Sequence, residues 1–311
     1  MTGAVDGNSD RLYPPTVALA QDAAVAEGVH PAKHVCCVFS SDAQLTALSA
    51  EFLRLGLAAG NRLLYVADRP DEGALLADLA DLGDVGGLAE RGALLVQPVR
   101  DAYTKNEVVD PAAQVEAYRR LTEAAVADGF TGLCVAADAT ALVTGRNARR
   151  AFMAYELAVD QFMATAPMQA MCAYDVRVLK RAVLDLVCVH RHQRVPAGVR
   201  PGFTMWPGHD GVGVSGEVDV SNAERFRDAL DAAVDALSTT AASEMRRRLR
   251  IDAADLAFID AEGTSALVAF SEQAAPDGRI EVADPPRSLR AIVETLGWRE
   301  RLAFVHREAT A

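Results

Sequence analysis

Short apolar runs alternate with longer stretches whose apolar residues recur three or four positions apart, and this rhythm holds from Val35 to about His190. Residues 35–39 form the first run, and Leu45, Leu48, Phe52 and Leu55 then mark one face of a helix over 42–57. The stretch Gly56, Leu57, Ala58, Ala59, Gly60 stops that helix, and a strand follows at 62–67. The alternation predicts a helix over 72–82, a strand over 93–97 and a helix over 111–127. It continues with strands at 133–137 and 168–174, separated by a helix over 147–165 and followed by one over 178–190. Strands alternating with helices predict crossover units and a parallel sheet covered on both faces.

Between 195 and 211 the rhythm breaks, with Pro196, Gly198, Pro201, Gly202, Pro207 and Gly208 clustered together, and this marks the expected linker. A shorter unit follows. A strand at 212–218 leads to a helix that Ser221 or Asn222 caps, with the stripe Phe226, Leu230, Val234 and Leu237. Then come a strand at 248–252, a helix over 262–273, a strand at 279–283, a helix over 287–296 and a closing run at 302–306. The expected organisation is a polar lead-in (1–30), a first domain (31–194), a linker and entry segment (195–211) and a second domain (203–311). No internal repeat or low-complexity segment interrupts it.

A chain of 311 residues has length enough for two cores, and 50% apolar with 24% charged residues is ordinary globular composition. The net charge of -12 argues against non-specific nucleic-acid binding, which needs Lys and Arg to displace counterions, and equally against an anionic membrane surface. Arginine, alanine, aspartate and valine are abundant beside scarce lysine, a bias expected of a GC-rich bacterial genome. The polar, acidic first ten residues do not read as a signal peptide, and no apolar run approaches the roughly 20 residues of a membrane helix. Five cysteines, an odd number, fit a reducing compartment, so the expectation is a cytoplasmic protein.

In the second unit, Gly216, Glu217, Val218 and Asp219 stand before one helix, and Asp260, Ala261, Glu262 and Gly263 open another. With the closing Leu296, Gly297 and Trp298, this unit, about residues 203–308, resembles a STAS domain, the fold of bacterial anti-sigma factor antagonists. The resemblance implies a small α/β domain whose partner is an anti-sigma factor of the kinase type, or a related switch protein. It implies a switch at the start of the second helix, where the family carries a hydroxyl that the kinase phosphorylates. Glu262 stands at that position and Ala261 replaces the preceding serine, which excludes phosphorylation there. A helix start favours an anion through its free N–H groups and dipole. Glu262 therefore reads in two ways, as a permanent stand-in for phosphoserine or as an ordinary first-turn residue. Asp219, Ser221, Asp260, Ala261, Glu262, Gly263 and Thr264 are the candidate partner and switch residues. Thr264 and Ser265 are out of register with the family acceptor.

In the first unit, the run from His34 to Phe39, the segment from Phe52 to Val66, Gly129 to Leu133, Tyr155 with Glu156, and Cys172 to Asp175 resemble a MEDS sensory domain, over about residues 31–194. The same rhythm is similar to a RecA or KaiC-type core. The loop after the first strand, Ser40, Ser41, Asp42, Ala43, Gln44, lacks the glycines and the Lys-Ser/Thr pair of a P-loop, and Asp42 repels phosphate there. In an open parallel sheet ligands bind beyond the carboxyl ends of the strands. Asp42, Asp68, Asp138 and Asp175 fall there with Ser40, Ser41 and Arg69, and His34 stands just before the first strand. These eight residues are the candidate binding set, and a crevice of this kind suits a polar small molecule or a divalent cation. For each aspartate the alternative is a cap on the following helix or turn.

The cysteines form no CxxC, and Cys36 and Cys37, adjacent on one strand, point to opposite faces. Cys134, Cys172 and Cys188 lie in apolar runs and read as core residues. His190 and His192, two apart, are poorly spaced for one metal, and Tyr155 with Glu156 reads as a solvated or structural pair mid-helix. No catalytic set, resident metal or cofactor is therefore expected. The fold class is α/β, a parallel-sheet RecA-like domain without a P-loop followed by a small α/β domain. The leading function is a signalling protein that senses a ligand or partner at one end and binds an anti-sigma factor at the other. The alternatives are an enzyme or a metal- or nucleotide-binding protein using the acidic rim, and a pure interaction scaffold.

Overall fold

The computed structural model describes residues 33–103, 108–208, 211–239, 250–274 and 280–306. The expected lead-in (1–30), the strand residues Arg248, Leu249 and Arg279, the side chain of Leu237 and the end from 307 to 311 lie outside the described residues.

In chain order the first domain contains β1 (His34–Phe39), α1 (Asp42–Ala58), β2 (Arg62–Ala67), α2 (Glu72–Asp78), α3 (Val85–Glu90), β3 (Leu94–Pro98), α4 (Val99–Ala102), α5 (Pro111–Ala127), β4 (Leu133–Asp138), α6 (Arg146–Thr165), β5 (Met168–Asp175), α7 (Val176–Leu179), α8 (Val183–Val187) and β6 (Gln193–Arg194). The six strands form one parallel sheet in the order β3-β2-β4-β5-β1-β6. Each strand but the last, β6, is therefore followed by a crossover, and all the carboxyl ends share one rim. Alternate residues feed two cores. Cys36 and Val38 join the layer under α5 and α6, whereas Cys37 and Phe39 join the layer under α1. The two adjacent cysteines do point to opposite faces.

The helix expected over 178–190 is broken into α7, a 3-10 turn (Lys180–Ala182) and α8, with Lys180 at a φ of 50° at the break. The middle of α6 is buried on all sides. Every residue from Phe152 to Val159 is buried, because one side faces the sheet and the other faces the second domain.

The second domain contains β7 (Phe203–Gly208), β8 (Gly211–Val218), α9 (Ala223–Thr239), β9 (Arg250–Ile259), α10 (Ala261–Ala274), β10 (Ile280–Ala283), α11 (Arg287–Thr295) and β11 (Leu302–Val305), with sheet order β11-β10-β9-β8-β7. β7 is a strand that the density of proline and glycine concealed. It pairs antiparallel with β8 at the sheet edge, where Pro207 has no neighbour to donate to on its outer side. The register of β8 on β9 shifts at Gly216, whose φ of 90° and close approach to the Gly202 carbonyl leave no room for a side chain.

The connector is not a loose tether. The apolar cluster under α6 runs without interruption into Phe203, Met205, Phe226, Leu230 and the rest of the second core. α6 packs along α9, and Arg146 reaches Glu224 at 2.7 Å and Asp228 at 3.1 Å on the exposed flank. Better shielded is Asp185, at the end of the first domain, which accepts from Arg149 of α6 at 3.1 Å and Arg225 of α9 at 3.0 Å. Asp185→Ala strips both arginines of their carboxylate at a poorly solvated junction. It is expected to cost about 2–3 kcal/mol in urea unfolding, against less than about 0.5 kcal/mol for the exposed Glu224→Ala.

Candidate functional site

Three places carry the chemically distinctive side chains, and the first is the rim. Asp42, Asp68, Arg69, Asp138 and Asp175 do converge there, around a cleft of about 240 Å³ closed by Thr140, Thr144 and Val178. Much of the charge is already paired. Arg177 binds Asp42 and Asp175 at 2.6 Å each, and its hydrogen bond and charge hold the Asp42 carboxyl below the usual range. Asp175 also caps α7 by accepting the Arg177 N–H at 2.7 Å, and Arg69 pairs with Asp78 at 2.8 Å. Asp138 is buried, which raises its pKa, while the Thr140 N–H bonded to it at 3.0 Å works the other way. Ser41 caps α1 through Gln44 N–H, and Ser40 bonds the Gln44 side chain. The rim therefore offers a polar cleft lined by Asp68 and Arg69, with Arg177 pairing two of its other carboxylates. The sequence pattern did not single out Arg177, which lies just past the end of β5.

The second place is the start of α10. Asp260 accepts the Gly263 N–H at 2.8 Å and the Val220 N–H at 2.9 Å, so it caps α10 and holds the neighbouring loop. Within that loop Asp219 accepts from both the N–H and the hydroxyl of Ser221, and Asn222 closes the start of α9. The Thr264 hydroxyl is turned inward onto the Asp260 carbonyl at 2.7 Å, and Thr264 is fully buried. Gly263 lets α10 lie against the sheet, since a Cβ there would stand 2.6 Å from Val218 Cγ1. Ala261 and Glu262 face solvent, and Glu262 makes no side-chain hydrogen bond with another described residue. Val220, 75% exposed, and Phe258, 42% exposed, flank them as apolar surface.

His34 belongs to neither place. It begins β1, at the opposite end from the rim, and is buried against α6. Its Nδ1 lies 3.2 Å from Asp160 Oδ1 and its Nε2 lies 3.0 Å from Glu156 Oε2. Burial opposes its charge, but the two carboxylates outweigh that and raise its pKa to about 10. Glu156 is fully buried, which works to raise its pKa. His190 and His34 outweigh this and hold it well below the carboxylate range. The other oxygen of Glu156 accepts the Tyr174 hydroxyl at 2.5 Å, and the Cys172 thiol lies 3.4 Å from Oε2. His190 Nδ1 donates to the Leu186 carbonyl at 2.8 Å, and its Nε2 comes within 3.3 Å of Glu156 Oε2 without forming a hydrogen bond.

The reading of Glu156 and Tyr155 as a solvated or structural pair is thus corrected as to solvation, since both are buried. The signal for Glu156 was present in the sequence, a single carboxylate in the run from Phe152 to Val159. The reading of His190 and His192 as poorly spaced for one metal weighed local partners alone, whereas His190 meets partners remote in sequence. Cys172, read as a core residue, is one, though it also touches polar groups.

The MEDS model, described as the MEthanogen/methylotroph, DcmR Sensory domain, matches residues 33–191, and the model described as Mlab, STAS domain, matches residues 203–305. A search of curated proteins returned no significant match. Among the described residues, no helix is long and apolar enough to cross a membrane. A sensory domain joined to a STAS domain makes this a signalling or regulatory protein. The chain belongs to the MEDS family and carries a STAS domain behind its RecA-like sensory domain.

Proposed function

We propose that this chain is a non-catalytic, cytoplasmic bacterial signalling protein of the anti-anti-sigma type. Its MEDS domain receives a small molecule or partner at the rim cleft, and its STAS domain binds an anti-sigma factor of the kinase type through the start of α10. Glu262 occupies the position of the phosphorylated hydroxyl and supplies a fixed negative charge there.

The observation that carries this reading is the division of labour at the helix start. Asp260 already caps α10, so the exposed Glu262 carboxylate is not needed for that role and is free to meet a partner. Its setting between exposed Val220 and Phe258 is the mixed apolar and charged surface that protein partners use. α6 gives the two domains a common element, because Glu156 at its centre and Arg149 near its start tie it to the sensory core and to α9 through Asp185. A ligand acts through such an element only if it favours one arrangement over another.

The test is phosphate transfer. Glu262→Ser restores an acceptor in register and is expected to gain one phosphate at residue 262 when incubated with the host's anti-sigma kinases and ATP. The unaltered chain is expected to gain none there. Absence of phosphate from Glu262→Ser with every such kinase would contradict the assignment of this position.

A further inference from the structure

We propose that the buried cluster of His34, Glu156, Cys172 and His190 is a tetrahedral metal site of the zinc class. Among the described residues these four form the one group of His, Cys, Asp and Glu side chains whose donor atoms, all within 4.8 Å of one another, can hold a single ion. Four of the six donor separations lie near those of a bound ion, and the other two lie within 4.8 Å. Zinc bonds of about 2.0–2.3 Å set tetrahedral edges of roughly 3.3–3.8 Å. Glu156 Oε2 stands 3.0 Å from His34 Nε2, 3.3 Å from His190 Nε2 and 3.4 Å from Cys172 Sγ, and His34 Nε2 stands 3.9 Å from that sulfur.

The outer partners are arranged for ligation as well. A carbonyl only accepts, so the Leu186 carbonyl fixes the hydrogen of His190 on Nδ1 and leaves Nε2 to the cluster. That nitrogen is buried, stands 3.3 Å from a carboxylate oxygen and makes no hydrogen bond, so it is a polar group open to another partner. His34 repeats the pattern with Asp160 behind its Nδ1, a carboxylate-histidine pair of the kind that orients metal ligands. Tyr174 holds the second oxygen of Glu156, leaving Oε2 for the ion.

Imidazole, thiolate and carboxylate together suit zinc and its first-row neighbours and exclude magnesium and calcium, which take oxygen ligands. Charge balances on binding. One proton leaves His34 Nε2 and one leaves Cys172 Sγ, and the dication with one thiolate and one carboxylate sums to zero, as burial requires. The ion would pin β1, β5 and α6 to the segment that leaves the sensory domain, three residues before β6.

All four side chains are buried, so the metal has to enter as the chain folds. The experiment therefore uses the full, tag-free chain expressed in zinc-supplemented medium, with metal content by mass spectrometry. Close to one zinc per chain is expected, falling to near zero in Cys172→Ser and unchanged in Cys37→Ser, whose sulfur lies in the other core layer. Cobalt-supplemented medium gives a readout that does not rest on the variants. A thiolate-to-cobalt charge-transfer band should appear in the unaltered chain. A folded chain with neither zinc nor that band, or with zinc that Cys172→Ser retains in full, would overturn the proposal.

Discussion

Glu156→Ala is expected to destabilise the chain by about 3–5 kcal/mol, because it removes the centre of a buried polar group and leaves its partners without replacements. Tyr174 loses the acceptor of its 2.5 Å hydrogen bond, Cys172 loses its contact, and His34 keeps a single carboxylate. Water has no access to compensate, since Glu156 is 0% exposed and His190 2%. The conservative Glu156→Gln keeps an acceptor for Tyr174 and most of the volume, and should cost less than the alanine variant. Urea unfolding of the three forms measures the difference. A loss under about 1 kcal/mol in Glu156→Ala would mean that the cluster adds nothing net.

The second large effect concerns a residue of the other domain. Phe226, at the start of α9, is 1% exposed and meets Phe203 edge-on at 5.3 Å, within the apolar cluster that continues into the sensory domain. Phe226→Ala is expected to cost about 3–5 kcal/mol through lost burial and the cavity left behind. The more telling expectation is where the loss shows. With one continuous core and the Asp185 bridge between α6 and α9, both domains should unfold in a single transition that shifts as a whole. Probing the second domain through Trp206 and Trp298 and the first through its five buried thiols follows each separately. Two separated transitions, with only the tryptophan one shifted, would show that the domains are stabilised independently.

Much of this architecture was legible in the sequence because the relevant interactions are local. Asp110 before Pro111 specified the start of α5, with an acceptor for two free N–H groups followed by a residue that has none to satisfy. The rim was legible for a topological reason, since a parallel sheet brings all its strand ends together without any need to know the side-chain contacts. β7 was hidden because Pro207 argues against a strand unless the strand is known to be an edge, and edge position is set by tertiary pairing. The buried cluster was hidden for the same kind of reason. His34 and Cys172 are 138 positions apart and meet only because β1 lies beside β5. The one local sign was Glu156 itself, a carboxylate inside a helical stretch with no polar face to carry it to water.

His34, grouped by its position next to a strand with the rim residues, stands at the wrong end of that strand to join them, and its neighbours are Glu156, Asp160 and His190. At the start of α10 the motif from Asp260 to Gly263 was legible as a helix start, whereas the capping by Asp260 and the close packing at Gly263 emerge only from the fold.

The measurement that bears most directly on the proposed role is affinity purification of the full chain from its host, beside Glu262→Ser, with mass spectrometry of the proteins retained. With Glu262 holding the switch permanently in its charged form, an anti-sigma factor that docks on the uncharged form should be retained at least about tenfold more by Glu262→Ser. Recovery of no anti-sigma factor by either form would contradict the account.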